Sequence, residues 1–324
     1  MEQWEPLHSS EDLSVNIVLR RSDKEVIETR FVQRHDDYFI CYLSSHTGCA
    51  HSCRFCHLTA TKQTIMTPVS IREYLEQADQ ILKIYTGHLI AGKKTAQTIH
   101  FNFMARGEAL SNPHFCERSS ELFRLLSVKA DVFSLFPKFL ISTIMPRDFE
   151  GDLAQVLTHP NAIPYYSLYS INPDFRKRWL PKAMDPREAL EKLATFQKET
   201  GREVVLHWAF IKDENDRDED VDALLDLVDE VGLKARFNLV RYNPHDSRHG
   251  TEPSEERLQE LLERIQARLM LPGSRIVPRV GHDVKASCGM FVESEREVPN
   301  RLTFKLHRDV GDVQEHRATG HSME

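Results

Sequence analysis

Tyr38-Phe39-Ile40-Cys41-Tyr42-Leu43 is an apolar run of strand length, and Ser44-Ser45-His46-Thr47-Gly48-Cys49-Ala50-His51-Ser52-Cys53-Arg54-Phe55-Cys56 follows it directly. The run reads as a buried strand, and the stretch behind it as a loop whose thiols have three and then two residues between them. Such a loop can hold three irons of a four-iron cluster. The remaining iron is then open to a small molecule, whereas a purely electron-carrying cluster normally takes four thiolates.

Working outward, short apolar runs alternate with helical patterns six times from Tyr38 onward, which is the signal for βα units and a mainly parallel sheet. The pattern predicts strands near Tyr38–Leu43, Thr98–Phe103, Lys138–Ser142, Pro164–Tyr169, Val204–Ile211, Ala235–Val240 and Arg275–Pro278. Helices are predicted near Ile71–Tyr85, Glu117–Leu126, Phe149–Leu157, Pro186–Thr200, Asp218–Val231 and Glu255–Leu269. Ser70 with Glu73 makes a capping-box pattern, Pro186 suits a first helical position, and Gly201 and Gly232 sit where helices stop. This is too few units for a closed eight-fold barrel. The expected fold is therefore α/β, an incomplete (β/α)6 TIM-like barrel with its reactive groups at the strand C-terminal rim. The expected division is a β-hairpin extension over 1–35, the barrel over 36–290 and a polar tail over 291–324.

The composition, 40% hydrophobic and 28% charged over 324 residues, is that of a globular chain with room for a sizeable core. The start carries no secretory pattern, and no apolar segment has membrane-spanning length, so the expected setting is the cytoplasm. There, six cysteines point to metal binding or catalysis rather than disulfides. A net charge of −7 argues against a strong, sequence-blind grip on nucleic acid, although it does not constrain a local groove. Arg176-Lys177-Arg178 reads, taken alone, as a solvated face.

Polar groups collect behind the strands. Met104-Ala105-Arg106-Gly107-Glu108 follows the second, Ser142-Thr143 ends the third, and Ser167-Leu168-Tyr169 ends the fourth. The sixth runs into Asn243-Pro244, and Ala286-Ser287-Cys288-Gly289 follows the seventh. Together with the triple-cysteine loop, in this order from about Val15 to Met290, these motifs resemble the radical S-adenosylmethionine adenosine methyltransferases, the RlmN/Cfr family.

The resemblance implies a radical S-adenosylmethionine type of barrel with a [4Fe-4S] cluster on Cys49, Cys53 and Cys56, and S-adenosylmethionine on its open iron. It implies cofactor contacts from Gly107, Glu108, Ser142, Ser167, Leu168, Tyr169 and Asn243, where Glu108 suits the amino group. It also implies that Cys288 is methylated by one S-adenosylmethionine, and that a 5′-deoxyadenosyl radical from a second activates that methyl group. The methyl carbon then adds to an adenine of ribosomal or transfer RNA, Glu28 removes a proton, and a second cysteine releases the product through a disulfide. The implied partners are RNA and an electron donor such as a flavodoxin or ferredoxin, with the chain a monomer and no membrane involved.

The chain departs from the family pattern at four points. Tyr169 stands where the family has a histidine. The second cysteine normally lies two residues before the Ser-Ser pair, which here is Tyr42; Cys41 is one residue earlier and faces the site only if a bulge restores its direction. The N-terminal helical RNA-engaging domain is reduced to the hairpin, and Glu293-Ser294-Glu295-Arg296-Glu297 replaces a basic tail, which lowers the expected phosphate affinity.

Two other readings stay open. One keeps the radical chemistry with a nucleotide, peptide or small-molecule substrate. The other is a zinc-stabilised binding module without catalysis, in which His46, His51 or His57 completes a Cys₃His set. Cys116, at the start of a helical pattern, is assigned no role; Glu28 without the resemblance would be a strand residue facing solvent.

Overall fold

The computed structural model describes residues 3–269 and 271–294. Ten strands run through one sheet in sequence order: β1 (Trp4–His8), β2 (Val15–Arg20), β3 (Val26–His35), β4 (Tyr38–Tyr42), β5 (Thr98–Phe103), β6 (Phe136–Thr143), β7 (Ala162–Tyr166), β8 (Val204–Trp208), β9 (Ala235–Val240) and β10 (Arg275–Val277). The pairs from β4 to β10 are parallel, while β1 to β4 pair antiparallel. The helices are α1 (His57–Ala60), α2 (Ile71–Ile90), α3 (Pro113–Asp131), α4 (Leu153–Val156), α5 (Pro173–Trp179), α6 (Pro186–Thr200), α7 (Asp218–Glu230) and α8 (Glu255–Arg268). Six βα units followed by β10 make an open barrel fragment, the incomplete barrel expected from the sequence.

Local chemistry fixes the helix ends. Ser70 and Glu73 form the reciprocal capping box of α2, with the Ser70 N–H donating to Glu73 Oε2 at 2.7 Å. Asp185 caps α6 ahead of Pro186, and Gly201 ends it at φ 66°, a backbone region that suits glycine. Tertiary packing extends α2 and α3 past their predicted ends: His88 meets the Phe31 ring and Leu89 packs on the core, while Phe115 and Ala130 are buried.

Two observations revise the expected organisation. The N-terminal strands are not an appendage: β3 pairs with β4, so the expected hairpin is the sheet's own edge, with β1 added outside it. The segment after β10 returns across them. Asn16 Nδ2 donates to the Val284 carbonyl at 3.0 Å and Arg30 to the Met290 carbonyl at 2.6 Å. Most of the expected polar tail lies outside the described residues. Arg176 is not part of a solvated face; its buried guanidinium donates to the carbonyls of Leu168, Ser170 and Met184.

Strand parity divides the molecule into two interiors. One set of alternate residues, including Phe39, Cys41, Ile99, Phe101, Phe139, Leu206 and Phe237, forms the large core beneath the helices. The other set, including Tyr38, Tyr42, Asn102, Leu140, Tyr165 and Asn238, lines the barrel lumen.

Candidate active site

The loop behind β4 is fastened before it reaches its thiols. The Ser44 hydroxyl donates to the Glu28 carbonyl at 2.5 Å and accepts from the N–H groups of Glu28 and Arg106. The Ser45 N–H donates to the Arg106 carbonyl at 2.7 Å. Gly48 lies so close to the neighbouring chain that a Cβ there would meet the Gln63 and Ile65 carbonyl oxygens at 2.5 Å, which requires glycine. The Cys49 N–H donates to Gln63 O, Arg54 N–H to Trp179 O and His57 N–H to Gly289 O, each at 3.0 Å. The last of these joins the triple-cysteine loop to the loop of Cys288.

Cys49, Cys53 and Cys56 all border one cavity at the barrel rim. Burial raises their thiols, and each feels another thiol of the set or Cys288; Cys49 is pushed up to about 12 and Cys56 to about 11. Among the described residues, no three His, Cys, Asp or Glu side chains converge as a single ion would need. A cluster asks for something different, one thiolate on each of three irons, and a three-thiol loop at a cavity mouth fits it.

The same cavity is bordered by Gly107, Glu108, Ser142, Ser167, Tyr169, Asn243 and Cys288. Gly107 holds φ 90°, and a Cβ there would lie 2.5 Å from His46 Nδ1. Burial raises the Glu108 carboxyl to about 7, against hydrogen bonds that favour its charge, from the Ile144 N–H at 3.1 Å and the Leu110 N–H at 3.3 Å. No basic side chain neutralises this acid among the described residues, and an ammonium group in the cavity would. Asn243 reaches Cys288 O with Nδ2 at 2.9 Å, its own carbonyl faces His57 Nε2 at 3.0 Å, and its buried Oδ1 has no partner. These acceptors fit the amino end of S-adenosylmethionine. Tyr169, at φ 59°, stacks on Phe55 with centroids 4.2 Å apart. Leu168 is not brought to the cavity; its side chain is buried in the core beneath the helices.

Cys288 projects into this cavity. The residue is exposed at the surface, while burial of its thiol raises it against the opposing charges of Arg30 and Arg34. Cys41 and Glu28 are not in the cavity wall. The bulge that would turn Cys41 toward the site is absent: its pairings with Phe31 and Phe101 are regular, and the irregularity of β3 lies between Val32 and His35. Strand parity therefore turns Cys41 into the core and leaves Tyr42 on the lumen side.

Glu28 is buried, neither facing solvent nor reaching the cavity. Its Oε1 accepts from Arg106 Nε at 2.8 Å and the Val292 N–H at 3.0 Å, and its Oε2 from Arg30 at 2.9 Å and Asn16 at 3.0 Å. Burial pushes this carboxyl up, but the two guanidiniums outweigh it and hold it below the usual range.

Sequence reasoning assigned no role to Phe55, Met104 and His207, which also border the cavity, or to Arg106, which fastens Glu28. Period-two counting along β8 would have placed His207 on the lumen face.

No family model matches the chain. It is 28% identical over 294 residues to a dual-specificity RNA methyltransferase RlmN of Sulfurovum sp. (strain NBC37-1), covering 90% of this chain and 76% of that protein. It is 25% identical over 305 residues to a probable RNA methyltransferase of Ectopseudomonas mendocina (strain ymp), covering 93% and 80%. The crystal structure of a radical SAM methyltransferase from Sphaerobacter thermophilus superposes with a TM-score of 0.73 at 22% identity, over 91% of this chain and 82% of that one. The family resemblance carried by the motifs is borne out by these relatives, and the partial barrel by the solved structure.

Proposed function

We propose that this chain is a radical S-adenosylmethionine methyltransferase that modifies an adenine of RNA through Cys288. The observation that supports the reading best is one cavity bordered at once by Cys49, Cys53 and Cys56, by Glu108 and Asn243, and by Cys288. Relatives named as RNA methyltransferases over about nine-tenths of the chain support the substrate class.

Cys49, Cys53 and Cys56 would hold the cluster, and Glu108, Asn243 and the backbone at Gly107 would hold S-adenosylmethionine. When bound, these groups supply the one-electron cleavage that the protein's own side chains cannot perform. The protein's part is position. Glu108 orients an ammonium by charge, and Gly107 lets the backbone approach. The Asn243 amide holds the carbonyl of Cys288 at 2.9 Å and so keeps the Cys288 loop at the cavity. Cys288 is the nucleophile that carries the methyl group. Glu28 is a positioning residue. By binding Arg106, Arg30 and the Val292 N–H, it ties the Cys288 segment to the loop that carries Gly107 and Glu108.

With Cys41 turned into the core, the thiol that frees the product has to come from solution as a small thiol. The reading sets the enzyme in the cytoplasm as a monomer, reduced by a flavodoxin- or ferredoxin-type donor.

Iron-loaded, reduced enzyme incubated with methyl-labelled S-adenosylmethionine and ribosomal or transfer RNA tests the proposal. Label recovered in adenine supports it; 5′-deoxyadenosine formed without labelled RNA would move the substrate elsewhere.

A further inference from the structure

Cys288 also borders the barrel lumen, a space of about 450 Å³ that shares Met104, Ser142, His207 and Asn243 with the first cavity. That volume suits a small-molecule unit. Its lining is of two kinds. Leu140, Tyr165, Met104 and Ile163 are apolar and cluster with Val205. Arg34, Lys138, Arg236 and Arg275 border the same space, with Arg236 3.3 Å from the Tyr165 hydroxyl.

Glu203 is the only carboxylate bordering the lumen among the described residues, and it is bound to Arg236. Arg34, Lys138 and Arg275 are in no ion pair among those residues, although carboxylates outnumber cations in the chain, 49 to 42. The positive charges converge: all four lie close enough to His100 to add to burial in holding it neutral. Residues bordering this space also carry buried polar atoms without partners, namely Arg34 Nε, Asn102 Oδ1 and His207 Nδ1. Buried polar groups left without partners are uncommon in folded proteins, and like charges gathered without counterions mark an anion site.

We propose that the lumen binds the phosphate of a nucleotide unit, with Lys138, Arg275 and Arg34 holding the phosphate and the apolar residues Leu140, Ile163 and Met104 receiving the nucleoside. The choice of adenine rests on the methyltransferase reading; the phosphate site stands on the lumen itself. The nucleotide could be a free one or the end of an RNA strand. Both present the same phosphate, and binding measurements separate them.

The test is calorimetric titration of the full, iron-loaded chain with adenosine, AMP, and short RNA strands with and without a 5′-phosphate. AMP should bind at least about tenfold tighter than adenosine if free nucleotides enter. The phosphorylated strand should show the same advantage over its hydroxyl-ended form if strand ends enter. Either preference should disappear in a K138Q/R275Q variant and survive in K138R. Lys138 and Arg275 are solvent-reachable and outside the core, and matching melting curves and iron content verify folding. Equal binding of AMP and adenosine together with indifference to the strand end would overturn the proposal, as would a preference that survives K138Q/R275Q. A phosphate preference without label transfer to RNA would leave the site standing and remove the methyltransferase reading.

Discussion

Glu28 and Arg106 form an ion pair closed to solvent, with Arg106 Nε 2.8 Å from Glu28 Oε1 and both side chains fully buried. Every lone-pair direction of the carboxylate is used, so the group is an anchor for two guanidiniums. Replacing it by glutamine should destabilise the fold by about 3–5 kcal/mol, the usual result of stranding one side of a buried pair. Urea melts of wild type and E28Q at neutral pH measure this, and equal midpoints would contradict it.

The same pair sets an acid limit. The Glu28 carboxyl titrates below its ordinary 4.5 in the folded state, so its contribution is complete above pH 4.5 and is lost as pH falls through the folded value. The stability gap between wild type and E28Q should therefore be full at pH 7 and narrow below pH 4.5. Melts taken across that range check the direction.

Tyr42 occupies the lumen face one residue from Cys41, which faces the core. On the proposed reaction, wild type should accumulate an RNA adduct on Cys288 that added dithiothreitol releases. Y42C should release it without added thiol, because the new sulfur stands on the lumen side. C41A should match wild type in adduct yield. Denaturing gels of labelled RNA read all three, and a lower adduct yield in wild type than in C41A would restore Cys41 as the resolving thiol.

The barrel was legible because its evidence is local and periodic. β5 and β9 begin and end where the alternation predicts, and α6 lies between a proline and a glycine. The rim motifs were legible because loops behind strands carry reactive groups. What could not be read was side-chain direction at a single uncertain position, which turns Cys41 away, and long-range pairing. Glu28 looks like an ordinary strand residue until Arg106, 78 positions later, meets it. β1 was missed because Pro6 interrupts a largely exposed edge strand, and α5 because the charged Arg176 takes one of its buried places. The lumen's charge was hidden because its cations come singly from separate strands.

Gly107 tests the cofactor wall. G107A adds a methyl group 2.5 Å from the His46 ring at a backbone angle that disfavours any side chain. It should weaken S-adenosylmethionine binding at least tenfold, with the loss seen in equilibrium dialysis, while the iron content stays at the wild-type level. Unchanged affinity would remove this segment from the cofactor site.

The thiols divide into two groups. C53A should lose the bound iron and its visible absorption, whereas C116A should keep both, since Cys116 lies in the first turn of α3 with its sulfur 3.4 Å from the Leu110 carbonyl. Iron and sulfide assays on anaerobically purified protein separate them; iron retained in C53A would contradict the assignment.

If Cys288 carries the methyl group, peptide mass spectrometry of chain purified without oxygen from cells making S-adenosylmethionine should find S-methylated Cys288 in wild type and none in C53A. Unmodified Cys288 in an iron-loaded chain that has been supplied with S-adenosylmethionine would contradict it.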